Sequence, residues 1–111
     1  MLFRSNMAED LAIFREIIRA QEQDQPRVLC TVATTRGSTP RGPGARLLLR
    51  PDGTFLGTIG GGCGEAEVWQ EAMETMNDGK PRIVTVDLTE PVDGDDKICG
   101  GIMQVFIEKI A

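Results

Sequence analysis

The sequence predicts an α/β protein: one layered domain, with a mixed β-sheet of about five strands flanked by two main helices. Two segments, residues 7–23 and 65–77, repeat apolar side chains at helical spacing. Five shorter segments are rich in Val, Ile, Leu and Thr, as strands are. The chain of 111 residues suits a single domain with a modest core, predicted to span residues 1–111. The predicted order of elements is α-β-β-β-α-β-β.

The first predicted helix, residues 7–23, has an apolar stripe along one side. Asn6 is its predicted N-cap, and Glu9 three residues later completes a capping-box pattern. The Asp-Gln-Pro sequence at residues 24–26 predicts its end. The pattern favours a helix packed on a sheet over a helix that binds a partner. The stripe contains Met7, Leu11, Phe14 and Ile18, with Ile17 beside it.

The strands are predicted from apolar runs at residues 27–35, 45–50, 55–59, 82–88 and 102–110. The turn sequence Pro-Asp-Gly-Thr at residues 51–54 predicts a hairpin between the second and third strands. Gly79 is predicted to end the second helix. Cys30 is predicted to be a core residue, because free cysteine is among the most buried residue types. The acidic stretch at residues 89–97 is predicted to be a solvated loop, since it lacks the closing glutamate of an EF-hand.

Three loops have a composition that a plain connection does not need. The first, RGSTPRGPG at residues 36–44, combines hydroxyls and prolines with a guanidinium suited to phosphate or carboxylate. The second, GTIGGGCGE at residues 57–65, places Cys63 where free helix amides favour an anion or a thiolate. The third, CGG at residues 99–101, sets Cys99 beside two glycines. Loops at one edge of an α/β sheet converge, so we expect these three to share a pocket.

Composition excludes several classes of protein and site. The absence of histidine excludes His-based metal sites and His general bases. The net charge of -5 argues against nucleic acid as the main partner. Three cysteines in no disulfide-like spacing, without a signal peptide, predict a reducing cytoplasm, and no apolar run is long enough to span a membrane. A local basic region that suits a small anion is formed by Arg36, Arg41, Arg46 and Arg50.

The motifs together, in their order, resemble the xanthine dehydrogenase accessory factor (XdhC/CoxI) family. They are GSTPR, PGA, GTIGGGC and EAEV, followed by CGG and VFIE, and they cover nearly the whole chain after the first helix. The resemblance implies that the protein binds the molybdenum cofactor, helps its terminal sulfuration, and delivers it to a molybdenum hydroxylase such as xanthine dehydrogenase. It implies a cofactor chaperone rather than an enzyme.

The same resemblance implies a set of site residues. Cys63 and Cys99 are the candidate contacts to the cofactor or its metal, since thiolate is a soft ligand that suits molybdenum. Glu65 either complements the start of the second helix, the favoured interpretation, or faces this site. One departure from the family pattern is Gly64, where we expect a larger apolar residue. The remaining cofactor-binding candidates are Ser38, Thr39, Arg41, Gly60, Gly61, Gly62, Gly100 and Gly101.

A second departure is that family members usually continue into a Rossmann-like domain, whereas this chain stops at Ala111. A separate Rossmann-domain subunit is therefore one candidate partner, beside a sulfurtransferase and a second copy of the chain. Two other functions stay open. One is a thiol redox or small-anion-binding enzyme, in which Cys63 is the nucleophile and Cys99 resolves it. The other is a structural module that binds no small ligand.

Overall fold

The predicted helices and strands all form, in the predicted order. The structure is a computed structural model that describes residues 3–60, 62, 64–89 and 100–110, with the backbone alone at residues 3–6. The helices are α1 (Phe3–Glu22) and α2 (Glu65–Asp78). The strands are β1 (Val28–Gly37), β2 (Arg46–Leu49), β3 (Phe55–Gly57), β4 (Arg82–Asp87) and β5 (Gly101–Lys109).

The five strands form one sheet in the order β3-β2-β1-β5-β4. Every neighbouring pair is antiparallel, which differs from the mixed sheet that the sequence predicted. The reason is the position of β5. Because β1 and β4 both run antiparallel to β5, they share a direction, but β5 lies between them. The α2 crossover joins β3 at one edge to β4 at the other, so it brings no parallel strands side by side.

The larger core lies between α2 and one face of the sheet. Alternate β1 residues, Val28, Cys30 and Val32, point into it, as the period of two in a strand requires. Cys30 has no exposed surface, which confirms its predicted place in the core. The other strands, α2 and the loop residue Ile59 complete this core, with Leu47, Leu49, Val68, Ala72, Met76, Val84, Val86, Met103, Val105 and Ile107 as the strand and helix members.

Helix α1 packs on the other face, against β2 and β3, through a smaller cluster centred on Ile13 and Ile17. The prediction that this helix packs on a sheet is therefore confirmed. The prediction of which apolar stripe faces the sheet is wrong. That stripe is 43–68% exposed, whereas Ile13 is fully buried. Acidic side chains beside Ile13 meet arginines beneath α1 and hold this face inward. The exposed residues are Met7, Leu11, Phe14 and Ile18.

The predicted ends of elements are mostly confirmed. Gly79 ends α2 in the left-handed conformation, and its N–H donates to the Thr75 carbonyl at 2.8 Å. In the predicted hairpin, Arg50 N–H donates to the Thr54 carbonyl at 2.9 Å. Asn6 is not the N-cap of α1, because the helix already begins at Phe3. Of the predicted loop at residues 89–97, Thr89 is described and residues 90–97 lie outside the described residues. Neither helix is long and apolar enough to span a membrane, within the part described.

Candidate functional site

The first and third loops meet where β1 ends and β5 begins. Gly37 pairs with Gly101 across these two strands. A Cβ on Gly101 would lie closer than 3.0 Å to the carbonyl oxygen of Ser38, and 2.7 Å from Cγ2 of Thr39. Backbone gives way to such a contact less easily than a flexible side chain does, so position 101 favours glycine. The two loops are thus in direct contact, as predicted.

The second and third loops both join the end of β4. Gly100 N–H donates to the Leu88 carbonyl at 3.0 Å, and Leu88 N–H donates to the Gly101 carbonyl at 2.8 Å. Two residues earlier, Val86 packs against Gly64, the residue before α2, where a Cβ would lie closer than 3.0 Å to Val86 Cγ1. Val86 therefore fills the space that a larger residue at position 64 would need. Since a strand advances about 3.3 Å per residue, the start of α2 lies close to the third loop.

Arg41 ties the first loop to the second. Its Nη1 donates to the Thr58 carbonyl at 3.0 Å and to Glu9 Oε1 at 3.0 Å. Within the loop, the Thr39 hydroxyl donates to the Arg41 carbonyl at 3.0 Å. Sequence reasoning missed Glu9, whose partners Arg41 and Thr58 lie 32 and 49 positions away in the chain. No local pattern contains that signal.

Glu65 holds the glycine-rich turn from the side of α2. Its Oε2 accepts hydrogen bonds from the Thr58 hydroxyl and from Ile59 N–H, the latter at 3.2 Å. The Thr58 hydroxyl oxygen in turn accepts from Gly60 N–H at 3.2 Å. The carboxylate thus lies in the first turn of α2, where acids suit the helix dipole, and it also fixes the backbone of the turn. Thr58 and Glu65 therefore both position the glycine-rich turn of the candidate site.

Acidic residues of α1 neutralise most of the predicted basic region. Arg36 is the exception: it is exposed and forms no ion pair with any described residue. Arg46 also lies over the ring of Phe14, 5.3 Å from its centroid. These three arginines therefore seat α1 on the sheet, each paired with a carboxylate of that helix. The pairs are Arg41–Glu9 (3.0 Å), Arg46–Asp10 (3.1 Å) and Arg50–Glu16 (2.7 Å).

The predicted cofactor ligands Cys63 and Cys99 lie outside the described residues, as does Gly61 of the second loop. Among the residues that are described, no group of three or more Cys, Asp or Glu side chains is arranged to hold a metal ion. Cys30 is a different kind of thiol. Burial raises its pKa to about 12, so it stays protonated and unreactive at neutral pH.

A pocket of about 370 Å³ lies at the opposite end of the sheet, where β1 begins. The Glu16 carboxylate accepts from Arg27 at 3.0 Å and from Arg50 at 2.7 Å, so both guanidiniums that line the pocket are hydrogen-bonded to the same acidic side chain. The pocket contains none of the predicted site residues, and we place the candidate site at the other end. Its lining is Gln25, Pro26, Arg27, Arg50, Pro51 and Asp52.

The chain is similar to known proteins over most of its length. The sequence profile of the XdhC and CoxI family matches residues 20–87. Uncharacterized protein YqeB of Escherichia coli K12 is 39% identical over 86% of this chain and 18% of its own length. The molybdenum cofactor insertion chaperone PaoD of the same strain is 32% identical over 88% of this chain and 31% of its own.

Two further relatives come from Bacillus species. A protein of Bacillus subtilis 168, named as a probable xanthine dehydrogenase subunit, is 30% identical over 87% of this chain and 31% of its own. The crystal structure of a xanthine dehydrogenase from Bacillus halodurans has a TM-score of 0.74 and 31% identity, over 87% of this chain and 30% of that one. The chain thus spans less than a third of each relative. Because the family profile matches more than half of its residues, this chain belongs to the XdhC and CoxI family.

Proposed function

We propose that this chain is an accessory protein that binds the molybdenum cofactor and helps to mature and insert it into a molybdenum hydroxylase such as xanthine dehydrogenase. One observation carries the proposal: PaoD, named as a molybdenum cofactor insertion chaperone, aligns with 88% of the chain at 32% identity. Two other relatives bear the name xanthine dehydrogenase, which supports the same class of client enzyme.

The described residues at the candidate site suit the phosphate of the cofactor. Three glycine-rich loops share one end of the sheet, where Ser38 supplies an exposed hydroxyl and Arg41 a guanidinium. Hydroxyl, guanidinium and backbone N–H groups are the donors that bind phosphate in proteins. The cofactor, when bound, supplies a molybdenum atom that accepts soft thiolate ligands. We assign that role to Cys63 and Cys99, whose described neighbours Gly64 and Gly100 both adjoin the end of β4.

A binding measurement with cysteine variants tests the proposal. Purified chain is incubated with molybdenum cofactor, separated from free cofactor by gel filtration, and the retained molybdenum is quantified. We expect wild type to retain cofactor, and Cys63→Ala and Cys99→Ala to bind roughly tenfold more weakly or worse, since each loses one ligand bond. Cys30→Ala is the matched control, because it removes a buried thiol on β1 and should leave binding unchanged.

Two outcomes would contradict the proposal. Cofactor binding by Cys63→Ala and Cys99→Ala equal to that of wild type would exclude the thiolate role. No binding by wild type, together with a Cys63–Cys99 disulfide that forms under mild oxidant, would favour the thiol redox function instead.

The other expectations from the sequence stay predictions. They are a sulfurtransferase, a Rossmann-domain subunit and a second copy as partners, the cytoplasmic location, and the single domain over residues 1–111.

A further inference from the structure

We propose that the Arg41 guanidinium and the Thr58 backbone N–H form a cradle for an oxyanion, and that the Glu9 carboxylate occupies it as an internal competitor. Glu9 Oε1 lies 3.0 Å from Arg41 Nη1 and 3.3 Å from Thr58 N, and Oε2 lies 3.4 Å from the same Nη1. A planar guanidinium beside a backbone N–H is a donor set that suits phosphate as well as carboxylate. The inference goes beyond the cofactor assignment, because any phosphate-bearing ligand meets this contact.

The competitor comes from an element separate from the loops. Arg41 and Thr58 belong to the two loops whose composition predicts anion binding, whereas Glu9 reaches them from α1. The pair is also largely shielded from water, with the Arg41 side chain 18% exposed and that of Glu9 24% exposed. An ion pair in such a place is screened less than one at the surface. An incoming anion that uses the same donors must therefore displace the Glu9 carboxylate.

The structure makes room for this contact at Gly57. A Cβ on Gly57 would lie 3.0 Å from Ile13 Cδ1 and 3.3 Å from Glu9 Oε1. The missing side chain therefore lets α1 come close enough for Glu9 to reach the second loop. Ile13 anchors α1 in the smaller core next to the same glycine. Rotation about the flexible side-chain bonds of Glu9 is then enough to vacate the cradle while the helix stays in place.

Competition of this kind lowers the apparent affinity for an anion. A ligand binds only the fraction of molecules in which Glu9 has left, so removal of the Glu9 charge raises affinity by the inverse of that fraction. A purely structural Glu9, which merely orients Arg41, has the opposite consequence. Its removal would loosen the guanidinium and weaken anion binding. The two roles of Glu9 therefore predict opposite changes in anion affinity when its charge is removed.

Isothermal titration calorimetry with inorganic phosphate measures whether phosphate affinity rises or falls when the Glu9 charge is removed. We expect Glu9→Gln to bind phosphate roughly tenfold more tightly than wild type, the ratio that one charge-assisted hydrogen bond is worth. The matched control is Asp10→Asn, which makes the same change in net charge on the same helix but releases Arg46. It should leave phosphate affinity unchanged. Adding Arg41→Gln to Glu9→Gln should abolish the gain.

Unchanged or weaker phosphate binding by a folded Glu9→Gln protein would overturn the proposal, and so would an equal gain in Asp10→Asn. If Glu9→Gln does not fold, Glu9→Asp replaces it, since the shorter acid keeps its charge but cannot span the cradle. A smaller gain is expected there, and no gain again overturns the proposal. The phosphate titration contains no molybdenum, so its result is independent of whether the chain binds the cofactor.

Discussion

Val86 on β4 packs against Gly64 at the start of α2, so closely that a Cβ on Gly64 would lie nearer than 3.0 Å to Val86 Cγ1. This contact sets the height of α2 above the sheet. It also brings the glycine-rich turn to the end of β4, where Leu88 pairs with Gly100 and Gly101. The spatial proximity of two candidate loops thus depends on the absence of one methyl group.

Replacement of Gly64 by alanine should destabilise the protein strongly. Gly64 has φ +76, which costs a residue with a Cβ about 1–2 kcal/mol, and the clash with Val86 adds about 1–3 kcal/mol. Urea unfolding measures the change in the free energy of unfolding. Gly79→Ala is the control, because Gly79 has φ +73 with nothing within 4 Å of a Cβ. Equal losses of unfolding free energy in the two variants would show that the contact with Val86 does not destabilise Gly64→Ala.

Replacement of Gly101 by alanine tests the contact between the first and third loops. The new Cβ would meet the Ser38 carbonyl, which belongs to the backbone and cannot rotate away. We expect a loss of about 1–3 kcal/mol in the free energy of unfolding. Gly42→Ala, in the first loop but with nothing within 4 Å of a Cβ, should cost far less. Thermal unfolding of both variants measures this difference. Similar midpoint temperatures for Gly101→Ala and Gly42→Ala would refute the expected clash.

Stability should depend on pH through Glu16. Hydrogen bonds from Arg50 and then Arg27 hold the pKa of this carboxyl below its ordinary value of 4.5. A lowered folded pKa gives stability that is fully present above the unfolded pKa and is lost as pH falls through the folded one. Glu16→Gln should therefore lose about 1.5–3 kcal/mol at pH 7, with the gap to wild type closing below pH 4.5.

Denaturant unfolding at a series of pH values measures this gap. The control is Glu22→Gln, an exposed acid at the end of α1 that forms no ion pair in the described part of the chain. It should change stability little at any pH. A Glu16→Gln gap that stays constant from pH 7 to strongly acidic conditions would contradict the assigned ion pairs.

Cys30 should resist thiol reagents in the native protein. Burial raises its pKa to about 12, so almost no thiolate forms at pH 8, and the reagent cannot reach it on β1. Iodoacetamide labelling followed by peptide mass spectrometry should leave the Cys30 peptide unmodified in native protein and modify it in denaturant. Rapid labelling under native conditions would show that β1 opens locally.

The sequence correctly predicted most of the fold, because strand and helix periodicity is a property of each segment alone. The spacing of Val28, Cys30 and Val32 predicts a buried strand wherever that strand lies in the sheet. The same reasoning placed the hairpin turn and the end of α2 at Gly79, where backbone conformation depends on one residue. It failed for α1, where two apolar faces compete and periodicity does not say which one is covered.

Charge and topology resolved what periodicity left open. Glu9, Asp10 and Glu16 select the buried face of α1, since their arginine partners lie on the β1–β2 side of the sheet and in the loop before β2. The antiparallel sheet follows from the insertion of β5 between β1 and β4. Both facts join residues far apart in the chain, and no single segment contains them.

The sequence by itself determined which segments become helices and strands, their order, and which three loops carry unusual chemistry. These follow from side-chain spacing and from residue types within a few positions of one another. Only the tertiary structure decided that the loops meet at one end of the sheet and that Glu9 occupies the donors of Arg41 and Thr58. Such contacts, 32 and 49 positions apart, arise only once the packed core brings α1 over the sheet.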